Sequence, residues 1–311
     1  MKHHYLPQFY QRGFSADGQS IFQFEKDTGR FYEVAVRDAA AIRDFHKLDH
    51  EDFPDPNAFE KQLSIAEGQF AEILSEVLNS GIANRNQHLG MVGLLNLMRV
   101  RVPSSIAHIE RVLEGQVTSV AKMMERHGKL PPASKPGGSI LDEVKLSIRN
   151  FKVLEFMVMS AVDPDVLRLL GTMKPTLLDA PEGSFFVTCD HPVTLYHPKA
   201  SASDIMGVAL IDLLTEITFP LSSRVLLKLV WSSGAPERRL ATAEEVEELN
   251  RRTVIVADKY ILAHAPIDAV ITGIAKYGKY RADTEYETRD EGESIFHILK
   301  NRAVLAPERY S

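Results

Sequence analysis

The stretch "SFFVTCDHPVTLY", residues 184–196, is where the chain changes character. A short apolar strand runs into Thr188-Cys189-Asp190, and Pro192 then forces a turn. Two further segments of the same kind follow, "TEITFPLSSRVLLKLVW" at 215–231 and "DKYILAH" at 258–264. Their β-branched and aromatic residues, bounded by turn formers, predict strands. Between them, "ATAEEVEELNRRTVIVA" at 241–257 predicts a helix: Thr242 is a good N-cap and Glu245, three residues on, completes a capping box.

Upstream of residue 181 the pattern is helical. In "NAFEKQLSIAEGQFAEILSEVLNS", 57–80, Phe59, Leu63, Ala66, Phe70, Leu74, Val77 and Leu78 fall on one stripe, with Asn57 as N-cap. "NQHLGMVGLLNLMRVRV", 86–102, is apolar almost all round, as a central buried helix requires, and should stop near Pro103. Segments 104–128 and 139–162 are amphipathic, the second starting at Ser139 and ending before "DPD". Earlier still, "QSIFQFEK" and "GRFYEVAVRD" flank the turn "DTG", which predicts a β-hairpin over 20–37. Strands, about four helices, then antiparallel strands with one helix make an α+β arrangement, not an alternating βαβ one. We expect one domain over 1–311: an arm and hairpin (1–56), a helical part (57–180) and a β-rich part (181–311). The Pro-, Gly- and Ser-rich loops 128–139 and 197–207 should be soft.

Composition narrows the function. The 311 residues are 44% hydrophobic and 25% charged, with a net charge of -6, so a chain-wide basic field for nucleic acid is absent. One cysteine, Cys189, excludes an intrachain disulfide and a Cys-rich zinc site, and fits a reducing, cytoplasmic setting. Its neighbourhood is apolar, so an inert core thiol is expected. No apolar run is long enough to span a membrane, and the N-terminal residues are unlike a signal peptide. Walker, dinucleotide, His-Glu-x-x-His and Gly-x-Ser-x-Gly motifs are all missing.

Five stretches, in order, carry a family resemblance: "HHYLPQFYQRGF", "FEKQLSIAEGQF", "FFVTCDHPVTLY", "ITFPLSSRVLLKL" and "VEELNRRTVIVADKYILA". From His3 to about Ala263 the chain resembles the domain-of-unknown-function 4238 family. Its members open with His-His-x-x-Pro-x-x-Tyr followed by Phe and carry Thr-Ser-Asp-x-Pro-Val and Pro-Leu-Ser-Pro turns. Cys189 stands where the family more often has Ser, and Ser223 where it has Pro. The resemblance implies no particular chemistry.

Adjacent side chains diverge in a strand or a helix, so His3 and His4 are not expected to chelate one ion together. Asp190, at a strand end, is either a metal ligand or general base or the acceptor of an Asx-turn. His191 falls at the unspecified position of the turn motif and is not expected to be a ligand. Glu60 and Glu67, seven apart, share a helix face, and Glu67 sits at the border of the apolar stripe. A buried carboxylate needs a partner. Arg99, aligned with Val92 and Leu95 on the apolar helix, has the opposite need, so a Glu67–Arg99 pair is one structural reading. In the functional reading His3 or His4, Glu67 and Asp190 converge on a divalent metal ion, with Arg99 or Arg101 facing a phosphate. The residues 222–224 are read as a tight turn before an anion site, and Asn250 as a hydrogen-bond partner of a strand end. Two functions follow as expectations. One is a metal-dependent hydrolase acting on a phosphodiester, possible substrates including nucleic acid. The other is a non-catalytic binding or interaction protein whose His, Glu, Arg and Asp form a polar network joining the arm, the helices and the sheet. An enzyme acting on a small molecule at the same site is a third.

Overall fold

A computed structural model describes residues 1–48, 50–145, 147–200, 208–282, 286–292, 294–299 and 302–310. The arm comprises β1 (Lys2–His4), α1 (Gln8–Gln11), β2 (Ser20–Glu25), β3 (Phe31–Ala35) and β4 (Ala41–Arg43). The helical part comprises α2 (Ala58–Ser80), α3 (Arg85–Val100), α4 (Pro103–Arg126), α5 (Asn150–Ala161) and α6 (Pro164–Leu170). Then come β5 (Lys174–Asp179), β6 (Thr188–Cys189), β7 (Thr194–Tyr196), β8 (Glu216–Pro220), β9 (Val225–Val230) and β10 (Glu237–Leu240). The chain closes with α7 (Ala243–Val256), β11 (Tyr260–Ala263), α8 (Asp268–Tyr277), β12 (Tyr286–Asp290), β13 (Ile295–Leu299) and β14 (Ala303–Val304). This is an α+β fold.

The hairpin forms as its turn chemistry dictates, Ser20 opposite Ala35 and Phe24 opposite Phe31. It does not stay with the arm: β2 also pairs with β11, giving a four-stranded sheet in the order β3-β2-β11-β6. The larger sheet runs β10-β5-β9-β8-β7-β14. Here the expected all-antiparallel arrangement is corrected. Residues 231–236 carry the chain past the end of β5, so β10 lies antiparallel in direction to β9 and therefore parallel to β5; β14 returns parallel to β7. The expectation of one C-terminal helix is corrected too, since α8 packs on α7.

The helix expected over 139–162 is broken. Ser139 caps only a single 3-10 turn, Ile140–Asp142, and α5 starts at Asn150. Val144 in the gap is exposed, so no apolar stripe is buried there to hold a continuous helix. Loop 128–139 is irregular, pinned by Ser134 and Ser139 to Glu143 and Glu125. Of the second soft loop, residues 201–207 lie outside the described residues.

α3 is the axis of the molecule. Met91, Val92, Leu94, Leu95, Leu97, Met98 and Val100 are all buried, as an all-round apolar helix must be. One hydrophobic cluster runs from Tyr5, Leu6 and Tyr10 of the arm through Leu95 to Leu227 and Leu229 of the large sheet. α7 begins at the expected capping box: Thr242 accepts from the Glu245 amide and Glu245 from the Thr242 amide. Arg239 clamps the same Glu245 carboxylate and holds it down at about 2, below the usual carboxylate range. Asn250 accepts from the Val187 amide and donates to the Phe185 carbonyl, tying α7 to the approach of β6.

Candidate functional site

β1 pairs antiparallel with β4, His3 opposite Ile42. The chain then turns back through Asp44, whose φ of 58° is left-handed, and brings His46 beneath His3. The two rings stack with centroids 5.6 Å apart. The His46 amide donates to His3 Nδ1 at 2.8 Å, and His46 Nδ1 meets Glu60 Oε2 at 2.7 Å. Among the described residues, His3, His46 and Glu60 are the one set of three such side chains whose ligand atoms come within 4.8 Å of one another. The set expected from sequence, His3 or His4 with Glu67 and Asp190, is not assembled.

Hydrogen bonding fixes the protons in this cluster. His3 Nδ1 accepts an amide proton, so the neutral ring carries its own proton on Nε2. His46 Nδ1 faces a carboxylate and donates, which leaves a lone pair on Nε2. Both Nε2 atoms are buried without a partner among the described residues. A cation needs lone pairs, and here His3 turns an N–H inward. The three residues therefore do not fit a two-histidine, one-carboxylate metal triad as they stand. Burial, with the nearby charge of Arg101, pushes the His46 pKa down. Against burial, the His46 hydrogen bond holds Glu60 below the usual carboxylate range.

Glu67 does find an arginine, but it is Arg101 (2.8 Å) and not Arg99. Arg101 is fully buried and also donates to the His4 carbonyl at 2.8 Å. The His4 ring points the other way, to the Arg37 carbonyl. Asp190 is buried at the end of β6, where its two oxygens accept from the Asp258, Lys259 and Tyr260 amides at 2.8–3.1 Å. Burial, and then the Asp258 charge, push its pKa up to about 6 in spite of those amides. The arm is sewn in by Tyr10, whose hydroxyl meets Thr188 Oγ1 at 2.7 Å and donates to the Pro220 carbonyl at 2.8 Å. Arg224, in the "PLSSR" turn, caps the carbonyls of Ala180, Pro181 and Ser184. Cys189 is buried, and burial raises its thiol pKa, as an inert core thiol requires.

A different place gathers unspent polar groups. A cleft of about 650 Å³ opens where the C-terminus of α3, the first half of α4, α5 and the turn after β6 meet Arg302. Arg99 lines it. Its guanidinium is held by two hydrogen bonds to Asn96 Oδ1, and Asn96 is itself anchored on the Ser160 and Ala161 carbonyls. No carboxylate pairs with Arg99 among the described residues; the nearby Asp163 spends Oδ1 on the Asp165 and Val166 amides. Burial lowers the Arg99 pKa, with Asp163 pulling weakly the other way. On the same wall, Ser104 Oγ bonds His191 Nδ1 at 2.8 Å. Burial, then the charges of Arg302 and Arg99, keep that imidazole neutral, well below its ordinary pKa. Arg302 is tied to Asp258 at 2.5 Å, and Arg111 also lines the cleft. Phe156, Leu195 and Ile109 give the cleft an apolar side.

Of the residues singled out in the sequence, the structure thus brings together Glu67 with Arg101 and sets Arg99 apart in a cleft. His46 had no motif to mark it; only the β1–β4 pairing places it. Ser104 follows Pro103 at a helix start and His191 follows Asp190, and neither spacing in sequence links one to the other. No curated protein and no solved structure matched the chain. A family model described as protein of unknown function, DUF4238, matches residues 2–266. That stretch holds the arm, the helices up to α7 and both large sheets apart from β14, with every motif quoted above, and the chain belongs to the DUF4238 family.

Proposed function

We propose that this protein takes a small oxyanion-bearing molecule into the cleft, Arg99 holding the anion and Phe156 and Leu195 covering an apolar body. One observation carries the reading: Arg99 is a half-buried guanidinium whose only hydrogen-bond partner among the described residues is a neutral amide. Burying a cation without a counter-ion is costly, and a bound carboxylate or phosphate supplies one with two parallel hydrogen bonds. Among the described residues, three arginines against the single carboxylate of Asp258 make the cleft basic in a chain of net charge -6. The motif residues then frame the cleft: Asp190 fixes the 258–260 turn and Arg101 fixes α3 to the arm. Calorimetric titration with inorganic phosphate tests the reading. Arg99→Gln keeps the Asn96 contact within reach and should weaken phosphate by roughly 10–100-fold. Equal affinity in both proteins would contradict it.

The metal-dependent phosphodiesterase expected from the sequence is the weaker proposal. Its support is the pair of orphaned Nε2 atoms of His3 and His46 beside Glu60. It requires the His3 ring to turn over and give up the His46 amide. Metal analysis of the purified protein decides it: a stoichiometric ion lost in His46→Ala would favour it, and a metal-free protein would remove it.

A further inference from the structure

We propose that Ser104 and His191 are a nucleophile–base pair that hydrolyses carboxylic esters whose acyl part carries a second oxyanion, the anion resting on Arg99. This rests on the oxyanion reading above and adds a reaction to it.

Three features carry it. Ser104 is the second residue of α4, after Pro103, and among the described residues its own amide is the one N–H of the first turn left without a carbonyl, since the Ser105 and Ile106 amides both donate to the Val102 carbonyl. Its hydroxyl is already bonded to an imidazole nitrogen at 2.8 Å, which is the contact a serine needs to lose its proton. His191 is 5% exposed, its carbonyl is held by the Cys189 thiol, and Asp190 beside it is locked on three amides, so the backbone that carries the ring is fixed. Its Nε2 has no partner among the described residues and the ring lines the cleft. A buried hydroxyl–imidazole contact facing a cavity that also holds a counter-ion-free guanidinium exceeds what packing needs.

The chemistry balances. Ser104 Oγ attacks the acyl carbon while its proton passes to His191 Nδ1. The tetrahedral oxyanion is met by the Ser104 amide at the start of α4. Collapse breaks the C–O bond of the ester, and the departing alkoxide takes the proton from Nδ1. Water then attacks acyl-Ser104, again giving a proton to His191, and the acid leaves as Ser104 recovers its hydrogen. The net reaction is ester plus water to acid plus alcohol.

The positive surroundings explain the substrate class. An imidazolium at His191 is opposed by Arg99 and Arg302, so the base works poorly with those charges bare. A substrate anion on Arg99 cancels part of that repulsion. Neutral esters should therefore be poor substrates, and the second anion acts on the chemical step as well as on binding.

The probe is mono(4-nitrophenyl) succinate, with 4-nitrophenyl acetate as the neutral control. The native protein should release nitrophenolate from the succinate ester at least about ten-fold faster than from the acetate. Peptide mass spectrometry of the quenched native protein should find the succinyl group on Ser104, a result that needs no variant to fold. Ser104→Ala should abolish release, and His191→Gln should cut it by roughly a hundred-fold while phosphate still binds. Phosphate binding that depends on Arg99 with no Ser104-dependent release would overturn the hydrolase and leave the oxyanion reading standing. Absence of phosphate binding, with no acyl-Ser104, would overturn both.

Discussion

Two arginines on one helix end, two residues apart, meet opposite fates. Arg101 is completely buried, paired with Glu67 and bonded to the His4 carbonyl; it belongs to the protein. Arg99 leans on a neutral amide and looks into a cleft. A buried charge that the fold neutralises is a structural tie, whereas one left without a counter-ion has an electrostatic place for a ligand. The same contrast holds for the histidines. His3 is consumed by the His46 amide and the stacked ring, while His191 presents a hydroxyl-bonded ring to the cleft.

The comparison breaks most visibly in stability. Arg101→Ala leaves Glu67 and the His4 carbonyl without their partner, and should cost about 3–5 kcal/mol in denaturant unfolding. Arg99→Gln should cost less than about 1 kcal/mol in the same measurement, or stabilise, because it removes a cation that nothing pairs. Equal costs would erase the distinction drawn here.

The seam between the arm and the sheet comes next. At Gly13 an added Cβ would lie 2.9 Å from the Leu221 backbone oxygen, and the Gly13 carbonyl accepts from the Ser223 amide. Gly13→Ala should therefore destabilise by about 1–3 kcal/mol, since the contact is with backbone that cannot step aside. Tyr10→Phe, which orphans the Pro220 carbonyl, should fall in the lower part of the same range.

The pH dependence of Asp190 sharpens the picture further. Its folded pKa is raised from the ordinary 3.8 to about 6, so between those values the native state keeps a proton that the unfolded chain has lost. Stability from this group thus declines as pH rises from about 4 to about 6, by roughly 3 kcal/mol, and is flat above. Asp190→Asn should remove that slope from unfolding curves taken across the interval. An unchanged slope would show that the carboxylate is ionised throughout.

Much of the architecture was legible because it depends on local pattern. The hairpin over 20–37, the stripe of α2, the all-round apolar α3 and the Thr242–Glu245 box are read directly from spacing. β5 was missed because Pro175 interrupts a six-residue run, and the parallel pairs because strand order is set by where loops cross. The site was less legible for a similar reason. Glu67 needed an arginine partner, which the helix pattern shows; that the partner is Arg101 and not Arg99 depends on how α2 crosses α3. His46 enters through a two-stranded pairing of three-residue strands, too short to leave a pattern. Ser104 and His191 are 87 residues apart and meet only because the β6 turn packs on the start of α4.

The most direct test of the account is where an anion goes. A crystal of the native protein grown with tungstate, a heavy tetrahedral oxyanion, would locate it from anomalous scattering. A peak is expected in the cleft within hydrogen-bond reach of the Arg99 guanidinium, on the wall that carries Ser104 and His191, and it should be lost in Arg99→Gln. Tungstate bound elsewhere on the surface with the cleft free of it, or a cleft peak that survives Arg99→Gln, would contradict it.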